Sequence, residues 1–209
     1  MKTIILLVVL FFNIQFMYAQ KVIINDSLKI ELKKSKKVSK FYLHSATKLK
    51  SKELKKVLVR CDIEALHGQS TDINAFSVLD TVNKFRYRIA EYNGYNKGVS
   101  LSRSVYGYGR IYLKRQILNE RGRPYPNLPK YNESVPDSFD NFSFIGYTNI
   151  EVPMYFSTNK NSKKNSIIYY SSSEKTKFRA DLFFTIIINK KTPILELYYG
   201  NERIGSVEM

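Results

Sequence analysis

The segment KFRADLFFTIIIN, residues 177–189, constrains the fold most, because it carries an apolar side chain at every second position. One face consists of Phe178, Ala180, Leu182, Phe184, Ile186 and Ile188. A period of two is that of a β-strand and does not fit an amphipathic helix. Phe183 and Ile187 make the opposite face partly apolar as well. The segment therefore predicts a central strand in a sheet that is covered on both sides.

Similar alternation recurs along the chain and favours a mostly β protein. Residues 28–33, 84–92, 105–118, 142–156, 167–171 and 193–207 all contain strand-like patterns. Gly200-Asn201 is typical of a two-residue hairpin turn. Closely spaced strands and hairpin turns predict an antiparallel sandwich or open barrel with one or two short helices, and an α+β arrangement is the alternative.

Two segments permit a helix. In residues 51–65, a helix capped by Ser51 would align Leu54, Val57, Leu58 and Cys61, whereas a strand would place residues 57, 59, 61, 63 and 65 on one face. The strand pattern is longer and rich in β-branched residues, so we expect a strand from about residue 57, after at most one helical turn. In residues 72–82, apolar side chains at steps of three predict a short helix.

Residues 119–139 interrupt every periodicity and contain four of the six prolines. Long connections of this kind are usually functional or act as linkers. We interpret the chain as a signal peptide (1–19), a Lys-rich N-terminal segment (20–60) and a β-rich domain (61–209). The Pro-rich loop 119–139 lies within that domain.

The first nineteen residues predict export. Lys2 precedes an uncharged, apolar run over residues 3–12, and Ala19 offers a small residue for cleavage before Gln20. This is the architecture of a secretory signal peptide, and the run is too short for a typical membrane span. We expect a periplasmic, cell-surface or extracellular protein with no transmembrane helix after signal removal. An uncleaved membrane anchor is the alternative.

The positive charge is concentrated near the N-terminus. The whole chain carries a formal charge of +16, of which residues 29–60 contribute +10. Such a cluster attracts polyanions by counterion release. The candidate contacts are Lys33, Lys34, Lys36, Lys37 and Lys40. An exported protein meets anionic envelope polymers and lipid head groups more often than nucleic acid, and a protein partner or a merely solvated strand edge are further alternatives.

Few residues offer reactive chemistry. Cys61 and His67 form the one conceivable thiol–imidazole pair, but both readings of residues 51–65 bury the thiol, which makes it a poor nucleophile. Asp62 and Glu64 share the opposite face of the strand and are expected to face solvent. The spacing of Asp62, Glu64, His67 and Asp72 matches no metal or catalytic motif. The sequence therefore indicates no cofactor, metal or catalytic residue.

One strand combines tyrosines with cations. Tyr106, Tyr108, Arg110, Tyr112 and Lys114 would share a face, which is suited to stacking on sugars or meeting an anionic polymer. Arg121 and Arg123 in the following loop complete this predicted ligand-binding surface. A sheet face covered by another layer is the structural alternative.

These features favour a non-enzymatic exported protein that contacts an anionic surface or glycan in the cell envelope. One alternative is an extracytoplasmic hydrolase that uses an Asp/Glu pair in a pocket. A second alternative is an outer-membrane β-barrel, although the final residues SVEM lack a terminal aromatic side chain.

Overall fold

The computed structural model describes residues 21–24, 26–39, 53–96, 110–157, 163–188 and 191–209. Fourteen strands and two short 3-10 turns lie in these ranges, and no α-helix does. The strands are β1 (Lys21–Ile24), β2 (Leu28–Val38), β3 (Leu54–Ala65), β4 (Phe76–Asp80), β5 (Phe85–Tyr95), β6 (Ile111–Leu113), β7 (Lys130–Tyr131), β8 (Thr148–Ile150), β9 (Met154–Ser157), β10 (Lys163–Ser166), β11 (Ile168–Tyr170), β12 (Lys177–Ile187), β13 (Leu195–Tyr199) and β14 (Glu202–Val207). The mostly β fold predicted from the sequence is confirmed.

The main sheet is a nearly closed antiparallel barrel. Its strand order is β1-β2-β3-β12-β5-β4-β13-β14, and β8 adds a short parallel pairing to β5. The two edges of the sheet approach each other. The amide of Glu208, directly after β14, donates to the hydroxyl of Ser35 on β2 at 2.7 Å. Curling a sheet until its edges meet leaves few unpaired backbone groups exposed.

Strand β12 lies at the centre of the sheet, as its two apolar faces predict. It pairs with β3 along its full length and with β5 on the other side. Phe178, Leu182 and Phe184 face the core and are completely buried, and Phe183 on the opposite face is equally buried. The predicted hairpin turn at Gly200 is also confirmed, with Gly200 in the left-handed region at φ +58°.

The helix predicted for residues 72–82 is wrong. Asp72 caps a single 3-10 turn at Ile73–Ala75 by accepting from the amide of Asn74, and the chain then enters β4. Every residue of β4 is buried, so both faces need apolar or hydrogen-bonded side chains. Because both faces of β4 are buried, its apolar residues do not alternate strictly. Their spacing therefore resembled that of a helix.

The prediction that Asp62 faces solvent beside Glu64 is also wrong. Asp62 is only 6% exposed, and its carboxylate accepts two hydrogen bonds from Arg179 on β12, at 2.7 and 3.1 Å. Glu64 is half-buried and pairs with Lys29 and Lys177. Strand β3 begins at Leu54, so the helical turn considered before residue 57 is absent from the described residues 53–65.

The barrel has two distinct ends. At the first, which we call the tip end, β2, β4, β12 and β14 end while β3, β5, β8 and β13 begin. At the second, which we call the cleft end, β3 and β5 end and β12 begins. The small sheet β11-β6-β7 contributes Leu113, Ile168 and Tyr170 to the core. Within the described ranges, no helix is long and apolar enough to cross a bilayer.

Candidate functional site

An open polar cleft of about 720 Å³ lies at the cleft end of the barrel. Its walls come from the segment after β3, the start of β6, the Pro-rich loop and the segment between β11 and β12. The lining residues are Ser70, Arg110, Tyr112, Ser134, Val135, Pro136, Ser171, Ser172, Glu174 and Lys175. Hydroxyl and charged groups outnumber apolar side chains, so the cleft suits a polar ligand better than an apolar one.

Backbone pairing with the neighbouring segment fixes the position of Arg110. The amide of Arg110 donates to the Ser171 hydroxyl at 2.9 Å, and the amide of Ser171 donates to the Arg110 carbonyl at 2.9 Å. The side chain of Arg110 is exposed. Among the residues that the structure describes, no carboxylate lies within 4 Å of its guanidinium. Arg110 therefore presents its positive charge to the cleft.

Tyr112 provides an aromatic surface next to Arg110. It faces Tyr169 across the β6–β11 pair, with ring centroids 5.6 Å apart and an interplanar angle of 32°. The Tyr169 hydroxyl donates to the Asn132 carbonyl at 2.8 Å. This hydrogen bond ties the Pro-rich loop, which lines the same cleft as Tyr112, to the small sheet.

The loop wall begins with a compact turn. The side-chain oxygen of Asn132 accepts from the amide of Ser134 at 3.0 Å, and the backbone carbonyl of Asn132 accepts from the amide of Val135 at 3.2 Å. Such Asx turns restrict the backbone without any regular secondary structure. Ser134, Val135 and Pro136 consequently line the cleft in a defined arrangement.

A network of charged side chains holds the loop beyond Pro136 against the barrel. Arg88 is only 6% exposed and donates to both carboxylate oxygens of Asp137, at 2.8 and 2.9 Å, and to Glu151 at 2.6 Å. Lys114 bridges Glu151 and Asp140. Burial alone would raise the pKa of Asp140, but the hydrogen bond and positive charge of Lys114 outweigh it and lower that pKa.

A second arginine anchors the same loop without a carboxylate. Arg86 is completely buried, and its Nη1 donates to the carbonyls of Phe139 and Phe142, at 2.9 and 2.8 Å. Its guanidinium carbon lies 3.9 Å from the centroid of the Phe139 ring. Burial lowers the pKa of Arg86 to about 10, which still keeps the side chain charged at neutral pH.

The structure brings part of the predicted Tyr/Arg surface into this cleft. Arg110 and Tyr112 line it, whereas Lys114 points into the charged network with Glu151 and Asp140. Tyr106 and Tyr108 lie outside the described residues. The predicted role of these two tyrosines stays a prediction.

The other predicted contacts lie elsewhere. Arg121 and Arg123 are exposed in a turn, where their amides donate to the Asn119 side chain, and neither lines the cleft. Lys33 pairs with Glu31 and approaches Asp62 at 3.8 Å. The predicted polyanion contacts that remain exposed toward the tip end of β2 are Lys34, Lys36 and Lys37. Lys40 lies outside the described residues.

Sequence reasoning missed most of the cleft wall. Ser171, Glu174 and Lys175 reach it because the Thr71–Ser173 bridge folds the segment before β12 back onto the end of β3. The run SSSEK at 171–175 is a polar break between two apolar strands. That break was the one available signal, and it resembles many ordinary turns.

The described residues contain little reactive chemistry. Cys61 is buried, as predicted, and burial raises the pKa of its thiol, which therefore stays protonated. No group of three or more His, Cys, Asp or Glu side chains among the described residues is placed to hold a metal ion. Glu174 is the single carboxylate in the described lining of the cleft.

Comparison with known proteins identifies no relative: no protein-family model, curated protein or solved structure matches the chain. Function must therefore be argued from the chemistry of the cleft itself.

Proposed function

We propose that this chain is an exported, non-enzymatic binding protein whose cleft takes a segment of an acidic oligosaccharide. The observation that carries the proposal is Arg110, an exposed cation with no described carboxylate partner, beside Tyr112 and Lys175 in one polar cleft. An arginine guanidinium matches a carboxylate or sulfate with two parallel hydrogen bonds. Because no acid among the described residues neutralises this cation, it is available for an anion from outside.

The remaining lining supports a sugar rather than a simple anion. Four serines offer hydroxyls that both donate and accept, namely Ser70, Ser134, Ser171 and Ser172. Tyr112 offers a ring on which the apolar face of a sugar can pack. The volume of about 720 Å³ lies within the range of ordinary ligand sites, about 300–1,000 Å³.

The scarcity of carboxylates in the described lining of the cleft favours binding without turnover. Hydrolysis of a glycosidic bond usually requires two carboxylates across the scissile bond. The described part of the cleft contributes only Glu174. Asp72 and Asp137 lie nearby in the chain but cap the two 3-10 turns, and Asp137 is also held by Arg88.

Export is the second part of the proposal, and it rests on the sequence. The apolar run over residues 3–12 and the small Ala19 support signal-peptide cleavage before Gln20. Edman sequencing of the protein recovered from the periplasm or medium tests this part. A mature chain that begins at Gln20 agrees with it, and an intact chain that begins at Met1 in the cytosol contradicts it.

Calorimetric titration with a tetramer of galacturonic acid tests binding, with maltotetraose as the neutral comparison. We expect the acidic tetramer to bind and the neutral one to bind at least about tenfold more weakly, because charge-assisted hydrogen bonds to Arg110 and Lys175 are lost. Arg110→Gln should weaken acidic binding by about tenfold for the same reason.

The matched control is Arg203→Gln on β14, an exposed arginine that pairs with Glu196 and does not line the cleft. It removes the same charge and should leave affinity unchanged. Equal affinity for the two tetramers, or an unchanged affinity in Arg110→Gln, would contradict the proposal.

A further inference from the structure

The tip end of the barrel presents an isoleucine to solvent on a rigid turn. Ile145 is fully exposed, although it sits between two anchored aromatic residues, Phe144 and Tyr147. The amide of Tyr147 donates to the Phe144 carbonyl at 3.0 Å, which closes a β-turn. Gly146 occupies the left-handed position of that turn at φ +79°, a conformation that favours glycine. Ile145 is therefore held at the apex rather than exposed by fraying.

The anchors of this turn reach into the body of the protein. The Phe144 ring packs edge-on against Tyr198, with centroids 5.0 Å apart, and the guanidinium of the buried Arg86 lies 5.7 Å from the Phe144 centroid. Lys84 lies 5.0 Å above the Tyr147 ring. These contacts hold the turn in place, so Ile145 stays exposed on a fixed backbone.

A second isoleucine and several lysines share this end. Thr148, Phe85, Asp80 and Leu195 are aligned across β8, β5, β4 and β13, so the turn containing Ile145 and the segment before Leu195 lie at the same end. Ile194 in that segment is 60% exposed. Among the described residues at this end, the exposed lysines are Lys36, Lys37, Lys55, Lys84 and Lys191, and the exposed acids are Glu53 and Glu208.

We propose that the tip end docks on the surface of an anionic lipid bilayer, with Ile145 and Ile194 entering the head-group boundary and the lysines facing lipid phosphates. Apolar side chains that enter this boundary gain hydrophobic stabilisation, and each lysine near it gains electrostatic attraction. Lysines alone would serve any polyanion, but exposed isoleucines at the same end favour a partner with an apolar interior. The cleft lies at the opposite end and would face away from the bilayer.

The absence of tryptophan from the chain allows a direct test. Ile145→Trp introduces the sole indole at the apex, and Ile23→Trp introduces it on β1, away from the tip end, where Ile23 is 57% exposed. Each variant of the mature chain, residues 20–209, is mixed with vesicles of phosphatidylcholine alone or with phosphatidylglycerol added. We expect a blue shift and quenching by brominated acyl chains for Ile145→Trp with anionic vesicles, and neither for Ile23→Trp.

Cosedimentation with the same vesicles gives the affinity. Ile145→Asn should weaken binding by about tenfold, since it removes one large apolar contact. Lys191→Gln should weaken it by about fivefold. Both positions are exposed, and circular dichroism verifies that the two variants fold. Their affinity for the galacturonic acid tetramer should be unchanged. This result would separate membrane docking from ligand binding in the cleft. Absence of sedimentation with anionic vesicles, or sedimentation without a blue shift for Ile145→Trp, would overturn the proposal.

Discussion

Arg60 and Asp181 face each other across β3 and β12 and form two parallel hydrogen bonds, Nε to Oδ1 at 2.7 Å and Nη2 to Oδ2 at 2.8 Å. Asp181 is 1% exposed, so its carboxylate depends on this partner and on the Tyr95 hydroxyl at 3.3 Å. Arg60→Leu should therefore lower the free energy of unfolding by about 3 kcal/mol, because it leaves a buried charge without its cation. Urea denaturation measures the loss.

The double variant Arg60→Leu/Asp181→Leu separates pairing from packing. It removes both charges, so we expect most of the lost stability to return. Arg203→Leu, which breaks the exposed pair with Glu196, is the control and should cost less than about 1 kcal/mol. A double variant as unstable as Arg60→Leu would show that the charge pair does not account for the loss.

Gly200 combines a left-handed backbone with a close aromatic neighbour. A Cβ atom at this position would lie 3.0 Å from Cε1 of Phe142. Gly200→Ala should therefore cost more than the roughly 1 kcal/mol expected from backbone strain alone. Gly122→Ala is the matched control, with a similar φ of +69° and no atom within 4 Å of the added Cβ. Equal losses of stability in thermal unfolding would contradict a steric role for Phe142.

Buried tyrosines make stability depend on alkaline pH. Burial raises the pKa of Tyr87, Tyr95 and Tyr199 to about 12 in the folded protein. In the unfolded chain the pKa of tyrosine is about 10. Above that pH the unfolded state therefore loses protons that the folded state keeps. The free energy of unfolding should therefore be constant below about pH 10 with respect to these groups and fall above it.

Urea midpoints between about pH 8 and about pH 11, combined with tyrosinate absorbance, test this dependence. We expect part of the absorbance to appear only as the chain unfolds. Full ionisation of every tyrosine in the protein while the fold persists would refute it.

Arg86 should control the order of residues 139–147. Arg86→Lys keeps a positive charge but cannot satisfy both the Phe139 and the Phe142 carbonyls and cover the Phe139 ring. Faster amide hydrogen exchange across this segment is the expected result, with β3 and β12 still protected. Unchanged exchange would show that the aromatic contacts of the loop are sufficient without the guanidinium.

How much of the fold the sequence predicts depends on how local the cause is. The alternation in β12 and the Gly200 turn reflect backbone geometry, and both were predicted correctly. The ion pair between Asp62 and Arg179 was not predicted from the sequence, because the contact joins residues 117 positions apart. The same limit applies to the cleft: Arg110 and Tyr112 were singled out by composition, whereas Lys175 joins them only through strand topology.

The measurement that tests the binding proposal most directly is an amide chemical-shift titration of the isotope-labelled protein with the galacturonic acid tetramer. The expected result is saturable shifts confined to the four described walls of the cleft, at Ser70 and residues 110–112, 134–136 and 171–175. Shifts confined to the exposed lysines of β2, or the absence of saturable shifts, would contradict a binding site in the cleft.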